Sequence, residues 1–280
     1  VEQKNQVKYF SGNNSSTLRG SDIFTASMDD TNKKYYFGVT DGDPNSSKTT
    51  TQFDVAFGHY AGSGSNTYGD TVKGESEAIY RQYSSLLSSE PNLGFFISSG
   101  SDVTLDGTRG TIDEWIYVLN FKQSNFRDGL QPGTWTLKLS GSNNGTANTE
   151  TFTDDSLYRP SVDFGTGRRY NIVRGSAGYN TENLLTNRVG LFYPDMGIMI
   201  LGESVAYLLS SGSAGNGTSN PTPATFNIDT DGNNQLLPYT GSTDNGNNAL
   251  RLVNALRAGG SANTGLTFRD EEDQVSAQYF

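Results

Sequence analysis

Short apolar runs, parted by residues that turn the chain, constrain this polypeptide most. Apolar and polar residues alternate in Phe53-Asp54-Val55-Ala56-Phe57 and in Trp135-Thr136-Leu137-Lys138-Leu139. A period of two suits a pleated strand with one buried and one wet face. Denser apolar runs at Tyr35 to Val39, Trp115 to Phe121 and Ile198 to Leu201 predict strands covered on both faces or buried in an interface. Pro132-Gly133 breaks the chain just ahead of the Trp135 strand, so the segment Gln123 to Gln131 links that strand to the one at Trp115. The 33 glycines against 8 prolines, with many Ser, Thr and Asn, favour turns and long loops over helices. The 15 Tyr and 15 Phe are too many for a disordered chain and suit pleated, half-buried surfaces.

Two segments show a helical period instead. Glu75 to Leu87 sets Ile79, Tyr83, Leu86 and Leu87 on one stripe, with Glu75 and Glu77 at the positive end of the helix dipole. Ala249 to Ala258 carries Leu250, Val253 and Leu256 on one side, follows Asn247-Asn248 as a cap and stops at Gly259-Gly260. A shorter helix is expected over Glu203 to Leu209. The stretch Ser210 to Gly246 holds few apolar residues and predicts a long surface excursion, more mobile around Gly212 to Pro223 in the isolated chain.

At 280 residues the chain is long enough for a sizeable core. The reading is a mainly β or α+β fold of antiparallel sheets, a few short helices and long Gly/Ser/Asn-rich loops. A main β-rich domain with a packed helix is expected at 1–202 and a smaller loop-rich region with a short helix at 203–280. Gln274 to Phe280 reads as the start of a strand that breaks off mid-pattern, as in a piece of a longer polypeptide.

Reactive chemistry has few carriers. The chain has no cysteine, which removes disulfides, thiolate metal sites and a Cys nucleophile. His59 is the only histidine, so a Ser-His-Asp or His-rich metal arrangement would run through it. At the end of a strand pattern, it reads as a hydrogen-bonding surface residue. No phosphate-binding loop is present, and Gly62-Ser63-Gly64 lacks the third glycine and following helix of a dinucleotide site. Carboxylates pair at Asp29-Asp30, Asp113-Glu114, Asp154-Asp155 and Glu271-Glu272-Asp273, and a glycosidase needs two across a cleft. Nothing in the sequence singles out one acid with a raised pKa, and adjacent carboxylates usually form a solvated face. Asp229 to Asn233 resembles the start of a calcium loop but lacks the bidentate Glu at its twelfth position. Asn144-Gly145-Thr146 and Asn216-Gly217-Thr218 match the glycosylation triplet and receive no role in so Asn-rich a chain. The reading therefore contains no catalytic residues, no cofactor and no metal.

A formal net charge of -10 repels a phosphate backbone. Arg168, Arg169 and Arg174 are the only tight basic group, and such a group pairs more readily with neighbouring carboxylates than with nucleic acid. No apolar run approaches the roughly 20 residues that span a bilayer. Neither nucleic acid nor membrane is an expected partner.

Several segments resemble, in the same order, a virion structural protein of large contractile-tailed phages of marine cyanobacteria. They are SEAIYRQYSSLL (Ser76 to Leu87), YVLNFKQSNFRDGLQPGTWTLKLSG (Tyr117 to Gly141), RRYNIVRGSAG (Arg168 to Gly178), GLFYPDMGIMIL (Gly190 to Leu201) and FRDEEDQVSAQYF (Phe268 to Phe280). The resemblance implies a tail or baseplate component without catalytic activity. Such a protein occurs in several copies of a symmetric assembly, touches other virion proteins and is assembled in the host cytoplasm.

Assembly needs extended edges, aromatic anchors and loops that order against neighbours. Trp115, Tyr117, Trp135 and Tyr193 are the candidate interface anchors, with a place in the β-core as the competing reading of each. Two other functions fit the sequence. One is a β-sandwich adhesin or carbohydrate- or receptor-binding module of a tail fibre or bacterial surface. The other is a hydrolase that depends on one acidic pair.

Overall fold

The computed structural model describes residues 2–3, 17–18, 24–27, 36–40, 50–64, 74–88, 92–97, 112–143, 146–163, 167–181, 188–205, 248–259, 266–271 and 273–274. The early strands are β1 (Glu2–Gln3), β2 (Thr17–Leu18), β3 (Phe24–Ser27), β4 (Phe37–Thr40) and β5 (Thr51–His59). Helix α1 (Glu75–Leu87) follows, then β6 (Trp115–Phe121), β7 (Gly129–Leu130), β8 (Thr136–Asn143) and β9 (Thr146–Asp154). Next come β10 (Val162–Asp163), β11 (Arg168–Ser176), β12 (Tyr179–Asn180), β13 (Gly190–Tyr193) and β14 (Ile198–Leu201). Helix α2 (Asn248–Gly259), β15 (Leu266–Thr267), β16 (Asp270–Glu271) and β17 (Asp273–Gln274) complete the order.

One antiparallel sheet runs β2-β15-β8-β9-β11-β13-β14-β6-β5-β4-β3. Helix α2 touches β8 towards one end of this path and β5 and β4 towards the other. A sheet can touch one helix from both ends only if it curls around it, and the right-handed twist of strands supplies that curl. The concave core holds Phe53, Val55, Trp115, Tyr117, Trp135, Leu137, Phe152, Phe192 and Met199 around Ala249, Leu252, Val253, Ala255 and Leu256 of α2. Gly259 closes the helix against the β8 backbone, where an added Cβ would lie 2.5 Å from the Lys138 carbonyl. The described residues beyond 202 thus contribute an inner helix and a strand of the same sheet.

Helix α1 covers the convex face. Ile79, Tyr80, Tyr83 and Leu87 pack on Ala56, Ile116, Val118, Leu191, Tyr193 and Ile200. The buried arc centres between Tyr83 and Tyr80, which leaves Leu86 at its margin and 41% exposed, a correction to its expected place on the inner stripe. Glu75 and Glu77 do occupy the first turn.

Two helices on opposite faces explain the sequence pattern. Strands β6 and β14 supply residues to both layers, and the residues of β4, β6 and β14 are buried, Asn120 alone being partly exposed; in the expected run at β4, Tyr36 is half-buried and Tyr35 lies outside the described residues. The Trp135 to Leu139 segment alternates buried and half-buried residues as expected of a one-sided strand. The Phe53 strand departs from expectation, because Asp54 and Ala56 are buried as fully as their apolar neighbours. Its second face is covered by α1 instead of water, and Asp54 meets its charge requirement with Lys122 Nζ at 2.5 Å.

The helix expected at Glu203 to Leu209 falls within the described residues only as far as Val205, and there Ser204 and Val205 are helical after a turn at Glu203. Ser210 to Gly246, the residues around Gly212 to Pro223, Asn247, Asp229 to Asn233, Asn144, Asn216, Asp29-Asp30, Glu272 and the end of the chain after Gln274 lie outside the described residues.

Candidate interaction surface

The four expected anchors all lie inside the monomer. Trp135 and Tyr117 are fully enclosed by the concave core, Trp115 joins them there, and Tyr193 lies beneath α1. Tyr193 donates its hydroxyl to the Leu87 carbonyl at 2.9 Å, which ties the end of α1 to β13. Trp115 and Tyr117 meet edge to face at 5.5 Å, and Trp135 meets Phe192 at 5.3 Å.

The large apolar groups that reach solvent are different ones. Tyr179 is 68% exposed, Leu157 54% and Tyr158 52%, with Val162 further along the same segment. Tyr179 follows a two-residue hairpin loop, Ala177-Gly178, between paired Ser176 and Tyr179. Both loop residues have positive φ, 48° and 80°, the turn geometry that matches strand twist. A Cβ on Gly178 would strike the Gly133 carbonyl and Leu157 Cδ1 at 2.8 Å, so the loop is pressed on the Pro132-Gly133 turn with Leu157 alongside.

Threonines on two strands fix this loop. Thr136 Oγ1 accepts the Ala177 N–H at 3.0 Å, and Thr153 Oγ1 accepts the Gly178 N–H at 2.8 Å while donating to the Trp135 carbonyl at 2.8 Å. Beneath Leu157, the Asp154 carboxylate accepts the Gly133 and Ser156 N–H groups. Burial pushes the Asp154 pKa up, and those hydrogen bonds oppose the shift. Asp155 Oδ1 accepts the Asn171 N–H at 2.9 Å. This carboxylate pair is therefore a buried backbone brace next to the turn that carries Leu157 and Tyr158.

The other titratable groups also serve as ties. Arg168 Nη2 reaches Asp195 Oδ1 and Glu271 Oε2, each at 2.6 Å, and Arg174 Nη2 reaches Glu150 Oε1 at 2.6 Å. Arg168 and Arg174 of the basic group thus pair with carboxylates as expected. His59 does not match its expected surface position. It is 6% exposed, its Nδ1 accepts the Ala61 N–H at 3.0 Å, and burial lowers its pKa.

Besides Asp154, a second acid has a raised pKa. Glu203 is pushed up to about 7, chiefly by burial and further by the charges of Asp113 and Glu114. Its partner Asp113 accepts the Ile97 N–H at 2.6 Å and the Glu203 N–H at 2.9 Å. Sequence reasoning found the Asp113-Glu114 pair and missed Glu203, because no local pattern marks a contact between residues 90 apart. Leu157 and Tyr179 were missed for another reason: the exposed tip of a strand turn and a buried strand residue carry the same side-chain types. Among the described residues no group of three or more His, Asp or Glu side chains could hold a metal ion, and no helix there is long and apolar enough to cross a membrane. Comparison with protein families, with curated proteins and with solved structures finds no match to this chain.

Proposed function

We propose that this chain is a non-enzymatic structural component of a phage virion, of the contractile tail or baseplate, and that it acts through protein–protein contacts. The observation that carries the reading is the exposure of Leu157, Tyr158 and Tyr179 beside backbone N–H groups that hydrogen bonds to Thr136, Thr153 and Asp154 hold in place. Large, rigid aromatic groups with polar tips suit the centre of a protein interface, since they bury much area at little conformational cost. The resemblance of five segments to virion proteins of contractile-tailed phages supplies the setting, and the partners are then other tail or baseplate proteins in a symmetric assembly.

Mass spectrometry and particle reconstruction of virions carrying the gene test this directly. The chain should occur in a fixed number of copies per particle, packed against several different proteins. Absence from the particle, together with glycan binding by the free chain, would favour the adhesin reading, and hydrolytic turnover lost on changing Glu203 or Asp113 would favour an enzyme.

A further inference from the structure

The turn that follows β5 joins three layers of the molecule. The Tyr60 N–H donates to the Glu114 carbonyl of the segment entering β6 at 2.7 Å. Ser76 of α1 donates its hydroxyl to the Ser63 carbonyl at 2.9 Å, and Asn248 of α2 donates its side-chain amide to the Gly64 carbonyl at 3.1 Å. Tyr60 stands edge-on to Tyr80 at 5.7 Å, with the Arg81 guanidinium 4.6 Å above its ring. The outer helix, the sheet and the inner helix therefore all hold residues 60–64.

His59 closes this turn. Its carbonyl accepts the Gly62 N–H at 3.0 Å and its Nδ1 accepts the Ala61 N–H at 3.0 Å. A backbone N–H can only donate, so Nδ1 must present a lone pair and the imidazole is neutral, with its proton on Nε2. His59 pairs with Trp115 and continues the alternation of Phe53, Val55 and Phe57 that faces the concave core. A second proton would turn Nδ1 into a donor aimed at a donor and place a cation in a buried site.

We propose that His59 is an acid-released pin: a proton on Nδ1 breaks its bond to Ala61, opens the turn 60–64 and loosens the leading ends of both helices together. Among the described residues, the charged groups on the surrounding elements are Glu114 and Asp113 ahead of β6, Glu203 beyond β14, Glu75, Glu77 and Arg81 on α1, and Arg251 on α2. Of these, Glu114 acts on the imidazole and favours the proton, but burial opposes it more strongly. The pin therefore holds at neutral pH and releases below the ordinary histidine range.

Because His59 is the only histidine, its imidazole resonance can be followed without assignment while amide-exchange protection is measured from pH 8 to pH 4. The expected result is a titration midpoint below 6.5, with protection at Ala61, Gly62 and the first turns of both helices falling at least tenfold across the same midpoint. His59→Gln keeps an acceptor oxygen without a titrating nitrogen, and it should abolish the step. A midpoint at or above 6.5, protection that persists after the imidazole has gained its proton, or the same step in His59→Gln overturns the proposal. If the variant does not fold, the wild-type titration decides alone.

Discussion

Asp113 and Glu203 trade main-chain hydrogen bonds: the Glu203 N–H donates to Asp113 Oδ1 at 2.9 Å, and Glu203 Oε1 accepts the N–H of Glu114. Each carboxyl caps the backbone next to the other, so the entry to β6 and the exit from β14 are held as one unit. Asp113 is buried and Glu203 half-buried. Burial first, and then the charges of Asp113 and Glu114, favour the protonated form of Glu203.

The pH dependence follows from that proton. The Glu203 pKa is raised from 4.5 to about 7 in the folded chain, so between those values the folded state holds a proton that the unfolded state has lost. The stability it lends is complete below pH 4.5 and gone above pH 7. Glu203→Gln should remove this slope, leaving the variant more stable than wild type at pH 8 by roughly 1 kcal/mol after allowance for water at the half-buried carboxyl. Urea denaturation at pH 5 and pH 8 checks it, and equal slopes in the two proteins would refute it.

Helix α1 crosses β5 at Gly58, where an added Cβ would lie 2.9 Å from the Tyr80 nitrogen and 3.0 Å from its Cα. Backbone atoms cannot rotate aside as a side-chain end can. Gly58→Ala should therefore destabilise the fold by about 1–3 kcal/mol through overpacking, measured as a lower denaturation midpoint with an unchanged slope.

Ala177 has φ 48°, a conformation that costs an L-residue with a Cβ roughly 1–2 kcal/mol and that Asn adopts more readily. Ala177→Asn should stabilise the chain by about 0.5–1 kcal/mol. A calorimetric Tm that rises supports the docked hairpin, and one that falls speaks against it.

Leu252 is fully buried on α2, inside the curl of the sheet. Leu252→Ala leaves a cavity bounded by strands from both ends of the sheet path, and a loss of about 2–5 kcal/mol is expected. A loss below about 1 kcal/mol, within what a surface change causes, would mean that α2 does not fill the core.

Much of the fold was legible in the sequence where one covering layer sets the pattern. The span Glu75 to Leu87 is helical as read, and α2 extends one residue beyond 249–258 at each end. Trp115 to Phe121 and Ile198 to Leu201 are doubly covered strands as their dense apolar runs implied. Asp54 misled because a buried acid and an exposed one look alike until Lys122, 68 positions away, is in view. The interaction surface was hidden for a related reason. Trp115, Tyr117, Trp135 and Tyr193 carry the chemistry of interface anchors, yet the core of this monomer uses all four. The exposed aromatic at Tyr179 owes its position to threonines on two other strands, Thr136 and Thr153, a long-range relation that no local period encodes.

The central claim is that an apolar surface at Tyr179 meets another protein. A photo-reactive benzoyl-phenylalanine at position 179, irradiated in intact particles and again in the purified chain, tests it most directly. Cross-links to one defined neighbouring virion protein in particles, absent from the free chain and lost when Leu157 is changed to Ser, are the predicted result. A particle that contains the chain yet yields no cross-link from position 179 would contradict the account.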